Sequence, residues 1–272
     1  MRAALKSFRD EGSIIGFVPT MGYLHQGHLS LIRRARQSSD MVVISIFVNP
    51  TQFGPQEDLD RYPRNLKRDA ELAEEEGVDY IFHPDVSELY PEGYKTYVFV
   101  EELSDKLCGA SRPGHFRGVT TIVLKLFNII QPQLAYFGQK DALQAIIVRR
   151  MVEDLNLDIK IEVEPIVREA DGLAMSSRNT YLSSEERKAA LVLYRSLKLA
   201  EKSIKQGERD SSAIAHEIKK IINQEPSAKI DYISITDNKN LQELDIIKKE
   251  TLIALAVHIG KTRLIDNIVI QV

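Results

Sequence analysis

Two histidines three residues apart with a glycine between them, His25-Gln26-Gly27-His28, are the strongest chemical signal in the chain. A pair of imidazoles can disperse negative charge and supply a proton, and a glycine lets an anion approach the backbone. The surrounding segment, Pro19-Thr20-Met21-Gly22-Tyr23-Leu24-His25-Gln26-Gly27-His28, separates an apolar run at 14–18 from an amphipathic stretch at 28–39. A strand–loop–helix unit of this kind presents unpaired N–H groups and the positive end of a helix dipole to a phosphate. His28 shares a helical face with Leu31, Ile32 and Ala35, which predicts an inward-pointing ring.

Other clusters add polar groups at similar places. Gly138-Gln139-Lys140-Asp141 follows the apolar run 134–137, so Lys140 is predicted to offer a point charge and Asp141 to open the next helix. Gln144 continues the stripe of Val148, Met151, Val152 and Leu155 towards the same edge, which suits a substrate hydrogen bond. Helix capping and a surface lysine would explain that cluster equally well. Met175-Ser176-Ser177-Arg178 follows Arg168 to Leu173 and combines two hydroxyls with a guanidinium. It reads either as a phosphate-binding loop or as a polar linker. Asn49 and Gln52 leave the run 41–48 with two amides that can bind hydroxyls and a carboxylate without adding charge. The stretch 111–118, with Arg112, His115 and Arg117, is a binding loop or a solvated connection; the residues alone favour neither. Cys108 has no partner cysteine and is expected to be a buried thiol.

These residues need a frame. Strands are expected at 14–18, where Pro19 should end the ladder, and at 41–48, 80–82, 97–100, 134–137 and 159–163. Helices are expected at 28–39, 65–76, 119–130 and 141–155. Alternation of this kind implies an α/β class with a Rossmann-like parallel sheet. The pattern changes near 180. Ser183 and Glu186 have capping-box spacing, helices are expected to Gly207 and over 211–223, and strands at 230–236, 251–257 and 264–270. The expected division is a Rossmann-like domain at 1–178 and a smaller α+β C-terminal domain at 179–272.

Composition excludes broad classes without choosing a function. The 272 residues carry a formal charge of −3, with 43% hydrophobic and 28% charged residues, the balance of a globular chain. That balance gives no support for a nucleic-acid partner held by bulk charge. No apolar run reaches the roughly 20 residues of a membrane span. Arg2, Lys6, Arg9, Asp10 and Glu11 precede no apolar core, so no secretory signal is expected, and one cysteine suits a reducing cytoplasm.

The chain resembles the pantothenate synthetase (pantoate–β-alanine ligase) family. The resemblance runs through PTMGYLHQGH, SIFVNPTQFG, EDLDRYPR, SRPGHFRGV, AYFGQKD, VREADGLAMSSRN and GKTRLIDN, and so covers nearly the whole length. It implies a homodimeric ligase whose C-terminal domain closes over the active site. The implied reaction condenses pantoate with β-alanine by way of a pantoyl adenylate, with ATP as substrate, Mg²⁺ in attendance, and AMP and pyrophosphate released. Carried over by position, Met21, Gly22, Tyr23, Leu24, His25, Gln26, Gly27 and His28 form the ATP loop, with His28 as proton donor. Gly138, Gln139, Lys140, Asp141, Val167, Met175, Ser176, Ser177 and Arg178 supply the other ATP contacts, Lys140 and Arg178 holding phosphates. Gln52 and Gln144 bind pantoate, and Gln52 also lies near β-alanine. Asn49 and Met21 are added as substrate contacts; metal ligands are not specified. The family often has two glutamines after the Lys-Asp pair, whereas the first position here is Leu143, predicted to point about 100° away from Gln144. The residues by themselves also suit another adenylyl- or cytidylyltransferase of the same superfamily, or a nucleotide-binding regulator without catalysis.

Overall fold

The computed structural model describes residues 1–55 and 57–272 and contains two compact units, Met1–Pro165 and Ile166–Val272. Strands β1 (Ile15–Thr20), β2 (Met41–Ile46), β3 (Tyr80–Phe82), β4 (Leu134–Gly138) and β5 (Lys160–Glu164) form the first unit's sheet, and β6 (Ala228–Asp237), β7 (Glu250–Ile259) and β8 (Thr262–Gln271) the second's. The first unit's helices are α1 (Lys6–Asp10), α2 (Gln26–Ser38), α3 (Leu66–Glu75), α4 (Val86–Leu89), α5 (Cys108–Ser111), α6 (His115–Ile130) and α7 (Ala142–Asp154). Those of the second are α8 (Ser184–Ala189), α9 (Leu191–Lys205) and α10 (Ser211–Ile222).

The first sheet is parallel, in the order β3-β2-β1-β4-β5. Its apolar strands are covered on both faces. Val18, Val42, Ile44 and Tyr136 pack with Leu29, Ile32 and Ala35 of α2, while Phe17 meets Phe127 of α6 edge-on, with ring centroids 6.3 Å apart. The strand order reverses between β1 and β4, and ligands of open α/β sheets bind beyond the carboxyl ends of the strands at such a point.

Pro19 does not end β1; the strand runs through it to Thr20, with Pro19 opposite Ser45 of β2. The ladder to β4 covers only Gly16 and Phe17, so the missing N–H of Pro19 deprives no bond on that side. The two central strands have already parted at that level, which opens the crevice. Residues 97–100 do not form the expected strand. Val98 instead donates its N–H to Thr121 Oγ1 (2.9 Å) and accepts from Thr120 Oγ1 (2.7 Å), so side chains of α6 take the place of a neighbouring strand. Among the described residues, no helix is long and apolar enough to cross a membrane.

The second unit packs α9 and α10 on the antiparallel sheet β6-β7-β8. Leu193, Leu197, Ile214 and Ile218 meet Leu255, Val257 and Leu264 there. Ser183 and Glu186 make the expected capping box. The division falls earlier than a boundary after 178, because residues 166–178 are tied to the second unit. Arg168 makes a two-pronged bond to Asp266 (2.7 and 2.9 Å), stacks 4.6 Å from the Tyr194 ring centroid, and bridges to Ala174. Asp266 is 2% exposed, so Arg168→Met would leave a buried carboxylate without this cation. We expect a loss of about 3 kcal/mol, read from urea unfolding, with part of it recovered by adding Asp266→Asn.

Candidate functional site

Gly22 (φ 79°) and Tyr23 (φ 52°) both adopt left-handed backbone, a costly conformation for tyrosine that needs outside support. Asp69 of α3 supplies it. The buried carboxylate, 1% exposed, accepts from the N–H of Tyr23 and of Leu24, each at 2.7 Å. Arg68 donates to the Leu24 carbonyl (3.0 Å) and lies over the Tyr23 ring, and Gly22 N–H donates to Thr20 Oγ1 (3.1 Å). Two adjacent residues of α3 thus clamp the loop from both sides. Sequence reasoning expects the helix but passes over Asp69; the available signal is an acid on the same helical face as Ala73, which is fully buried.

The loop delivers the two histidines to the start of α2. His25 is its N-cap, and Nδ1 accepts from Gly27 N–H (3.1 Å). His28 completes a reciprocal box, Nδ1 accepting from His25 N–H (3.3 Å). Because both Nδ1 atoms accept, the ring N–H of each histidine lies on Nε2, at the end away from the backbone. The ring centroids are 4.1 Å apart. Burial, then the neighbouring His25 and Lys140, hold the His28 pKa well below its usual value. His28 is therefore a neutral imidazole at neutral pH in this structure.

Lys140 comes from the other side of the reversal point, in the tight turn after β4, and lies 3.5 Å from Asp141. Its charge acts on His28 across the point where β1 and β4 part. Asp141 precedes α7 without a side-chain cap. In the first turn of α7, Leu143 is buried and Gln144 partly open, as their angular separation predicts.

The segment after β2 closes the group. Gln52 donates from Nε2 to Met21 Sδ (3.2 Å) and accepts on Oε1 from Asn49 Nδ2 (3.0 Å). Asn49 itself is 1% exposed. Its Nδ2 also donates to Gly118 O (3.1 Å), and its Oδ1 accepts from Thr51 Oγ1 and Tyr90 Oη, both at 2.9 Å. Asn49 thus holds the turn that carries Gln52. Burial raises the Tyr90 phenol to about 12, which keeps it a donor. Tyr90 was not foreseen, because a lone tyrosine 41 residues from its partner has no pattern. Gly118 at the neighbouring helix is required too: a Cβ there would sit inside contact distance of the Thr51 carbonyl.

Residues 175–178 belong to the second unit. A short hairpin with Glu169 N–H on Leu173 O (2.8 Å) and Met175 N–H on Val167 O (3.0 Å) leads into a tight turn, Ser177–Tyr181, capped by Ser176. Asn179 donates to Ala174 O (3.1 Å) and to Glu169 Oε1 (2.9 Å), and Arg187 ties Glu169 to Asp171. Ser177 is buried, while Ser176 and Arg178 are partly open.

The pantoate–β-alanine ligase family model matches residues 1–269. The pantothenate synthetase of Pelotomaculum thermopropionicum is 60% identical over 270 residues, which cover 99% of this chain and 96% of that one. The crystal structure of pantothenate synthetase from Thermus thermophilus superposes with a TM-score of 0.92 at 48% identity, over 94% of this chain and 92% of that one. That of the Francisella tularensis ligase, complexed with beta-gamma ATP and β-alanine, gives 0.78 at 37% identity, over 98% and 94%. With a family match along almost its entire length and such identity to relatives, the chain belongs to the pantoate–β-alanine ligase family.

Proposed function

We propose that this ligase activates the carboxylate of pantoate with ATP and then passes the acyl group to β-alanine. In the first step a carboxylate oxygen attacks the α-phosphorus, the bond to pyrophosphate breaks, and pantoyl adenylate forms. In the second the amine of β-alanine attacks the acyl carbon, AMP leaves, and the amine loses a proton. The observation that carries the proposal is the pair of imidazoles whose Nδ1 atoms are held by backbone N–H groups at the start of α2. Their Nε2–H groups, the first N–H groups of α2 and the Lys140 ammonium are the preorganised donors that a phosphoryl transition state requires. Once phosphates enter, their charge opposes the repulsion around His28, and its Nε2–H serves as the donor to the α-phosphate.

Met21, Gly22, Tyr23, Leu24, His25, Gln26 and Gly27 frame the nucleotide in this scheme, with Gly138, Gln139, Lys140 and Asp141. Val167, Met175, Ser176, Ser177 and Arg178 are proposed as further nucleotide contacts. Gln52, set by Asn49 and Met21, and Gln144 hold pantoate, with Gln52 also near β-alanine. Magnesium enters as part of the nucleotide: among the described residues no group of three His, Cys, Asp or Glu side chains converges, and this cation is commonly carried by phosphate oxygens and water. A homodimer in the cytoplasm completes the proposal. Tyr97 and Phe99, exposed on a segment without a partner strand, support self-association, and a single buried cysteine suits a reducing compartment.

The direct test supplies ATP, magnesium and pantoate and looks for the acyl adenylate before β-alanine is added. Pyrophosphate exchange should depend on pantoate and fall by about 10²–10³ in His28→Ala, whereas exchange without any carboxylic acid would sink the proposal. Asp69→Asn should lower kcat/KM for ATP by about 10- to 100-fold, because an amide cannot accept from both Tyr23 and Leu24. Removing one of the causes that depress His28 should raise its pKa. In Lys140→Met its NMR titration midpoint is therefore expected at higher pH than in the wild type, and an unmoved midpoint would separate the two groups.

A further inference from the structure

The stretch 111–118 runs from the end of α5 into α6, and two of its side chains converge on one backbone atom of the segment after β2. His115 Nδ1 lies 2.8 Å from the Gln52 carbonyl oxygen, and Arg112 Nη2 lies 3.3 Å from the same atom. Arg112 Nη1 in turn meets His115 Nε2 at 3.0 Å. A carbonyl can only accept and a guanidinium can only donate, so one tautomer satisfies the set: Nδ1–H donates to Gln52 and Nε2 accepts from Arg112. Arg112 is itself fixed by a two-pronged bond to Glu57, with Nε and Nη2 each 2.6 Å from a carboxylate oxygen.

The ionisation states agree with that geometry. Burial, then the positive charge of Arg112, pushes His115 down to about 4, against the opposing pull of the Gln52 carbonyl and the carboxylates of Glu57 and Asp141. Burial alone would raise Glu57, but the hydrogen bonds and charge of Arg112 more than offset it and keep it a carboxylate. A neutral ring between a cation and a carbonyl is thus the stable state at neutral pH.

We propose that Arg112 and His115 are positioning residues that aim Gln52 at its substrate, an assignment resting on the pantoate contact proposed above. Gln52 ends a three-residue turn whose own backbone bonds run to the Asn49 and Pro50 carbonyls. Asn49 and Met21 hold the side-chain amide; His115 and Arg112 hold the other end of the same residue. Glu57 keeps the guanidinium in register, so the carbonyl, the imidazole, the guanidinium and the carboxylate form one chain of bonds. Neither Arg112 nor His115 needs to touch the reacting atoms.

The test measures pantoate-dependent ATP–pyrophosphate exchange for wild type, Gln52→Ala, His115→Ala, His115→Asn and His115→Gln. His115→Ala is expected to raise the pantoate KM about tenfold and to leave the ATP KM within about twofold. His115→Asn carries its N–H near the place of Nδ1 and should restore most of the pantoate KM. His115→Gln carries its N–H near Nε2 and should not. Should His115→Ala fail to fold, the contrast between Asn and Gln decides the matter. If Gln52→Ala raises the pantoate KM while His115→Ala does not, or if both substrates weaken together in His115→Ala, positioning is overturned and the pantoate contact stands. A Gln52→Ala enzyme with unchanged pantoate KM would overturn the contact and the positioning with it.

Discussion

The geometry of the first unit's site depends on one buried carboxylate. Asp69 takes the N–H groups of Tyr23 and Leu24 and so stabilises two consecutive left-handed residues between β1 and α2. Without that clamp the chain would have no reason to leave Thr20 in a direction that begins α2 with His25. With it, the first turn of the helix acquires two histidines as reciprocal caps, and their ring tautomers are settled by backbone donors. The charge on Asp69 matters as much as its shape, since two N–H dipoles must be met in a water-poor place. A phosphate-binding loop is thereby built around an internal anion, kept out of reach of the ligand by the backbone it holds.

The resting electrostatics are unfavourable and informative. Burial, His25 beside it and Lys140 from the end of β4 all disfavour a positive charge on His28, which stays neutral. Such an arrangement stores nothing covalent, yet it makes the site respond to a multiply charged anion: neutralising the repulsion strengthens every donor at once. The chain's formal charge of −3 conceals this local excess. Parting of β1 from β4 beyond Phe17, which Pro19 tolerates, supplies the opening in which the excess can act.

Much of this was legible in the residues. Periodicity located the parallel sheet, the helices after it and the α+β unit, and the His-x-Gly-His spacing marked the loop. What escaped depends on contacts distant in sequence. Asp69 acts 46 residues from Tyr23, and Tyr90 acts 41 residues from Asn49, so neither leaves a local pattern. Residues 97–100 are an apolar run with strand-forming side chains, but Val98 has its backbone groups met by Thr120 and Thr121, a solution that the run itself does not encode. The change of pattern near 180 does not show where 166–178 belongs; the ion pair of Arg168 with Asp266, 98 residues away, assigns that stretch to the second unit.

The choice of amides after β2 follows from the chemistry proposed for the first unit. A carboxylate that must attack phosphorus loses nucleophilicity when a cation is bonded tightly to it, while a phosphate that must be attacked gains from cations. Placing Gln52 after β2 and Lys140 after β4 separates the two needs: the neutral donor orients the nucleophile, and the charged donors address the electrophile. An amide, however, holds its partner weakly and by direction alone, so its own orientation must be secured. That requirement explains why Asn49 is buried with its side chain bonded on both polar atoms, and why Gly118 must stay small enough for α6 to press against the Thr51 carbonyl. Rigidity in the turn compensates for the weakness of an uncharged grip.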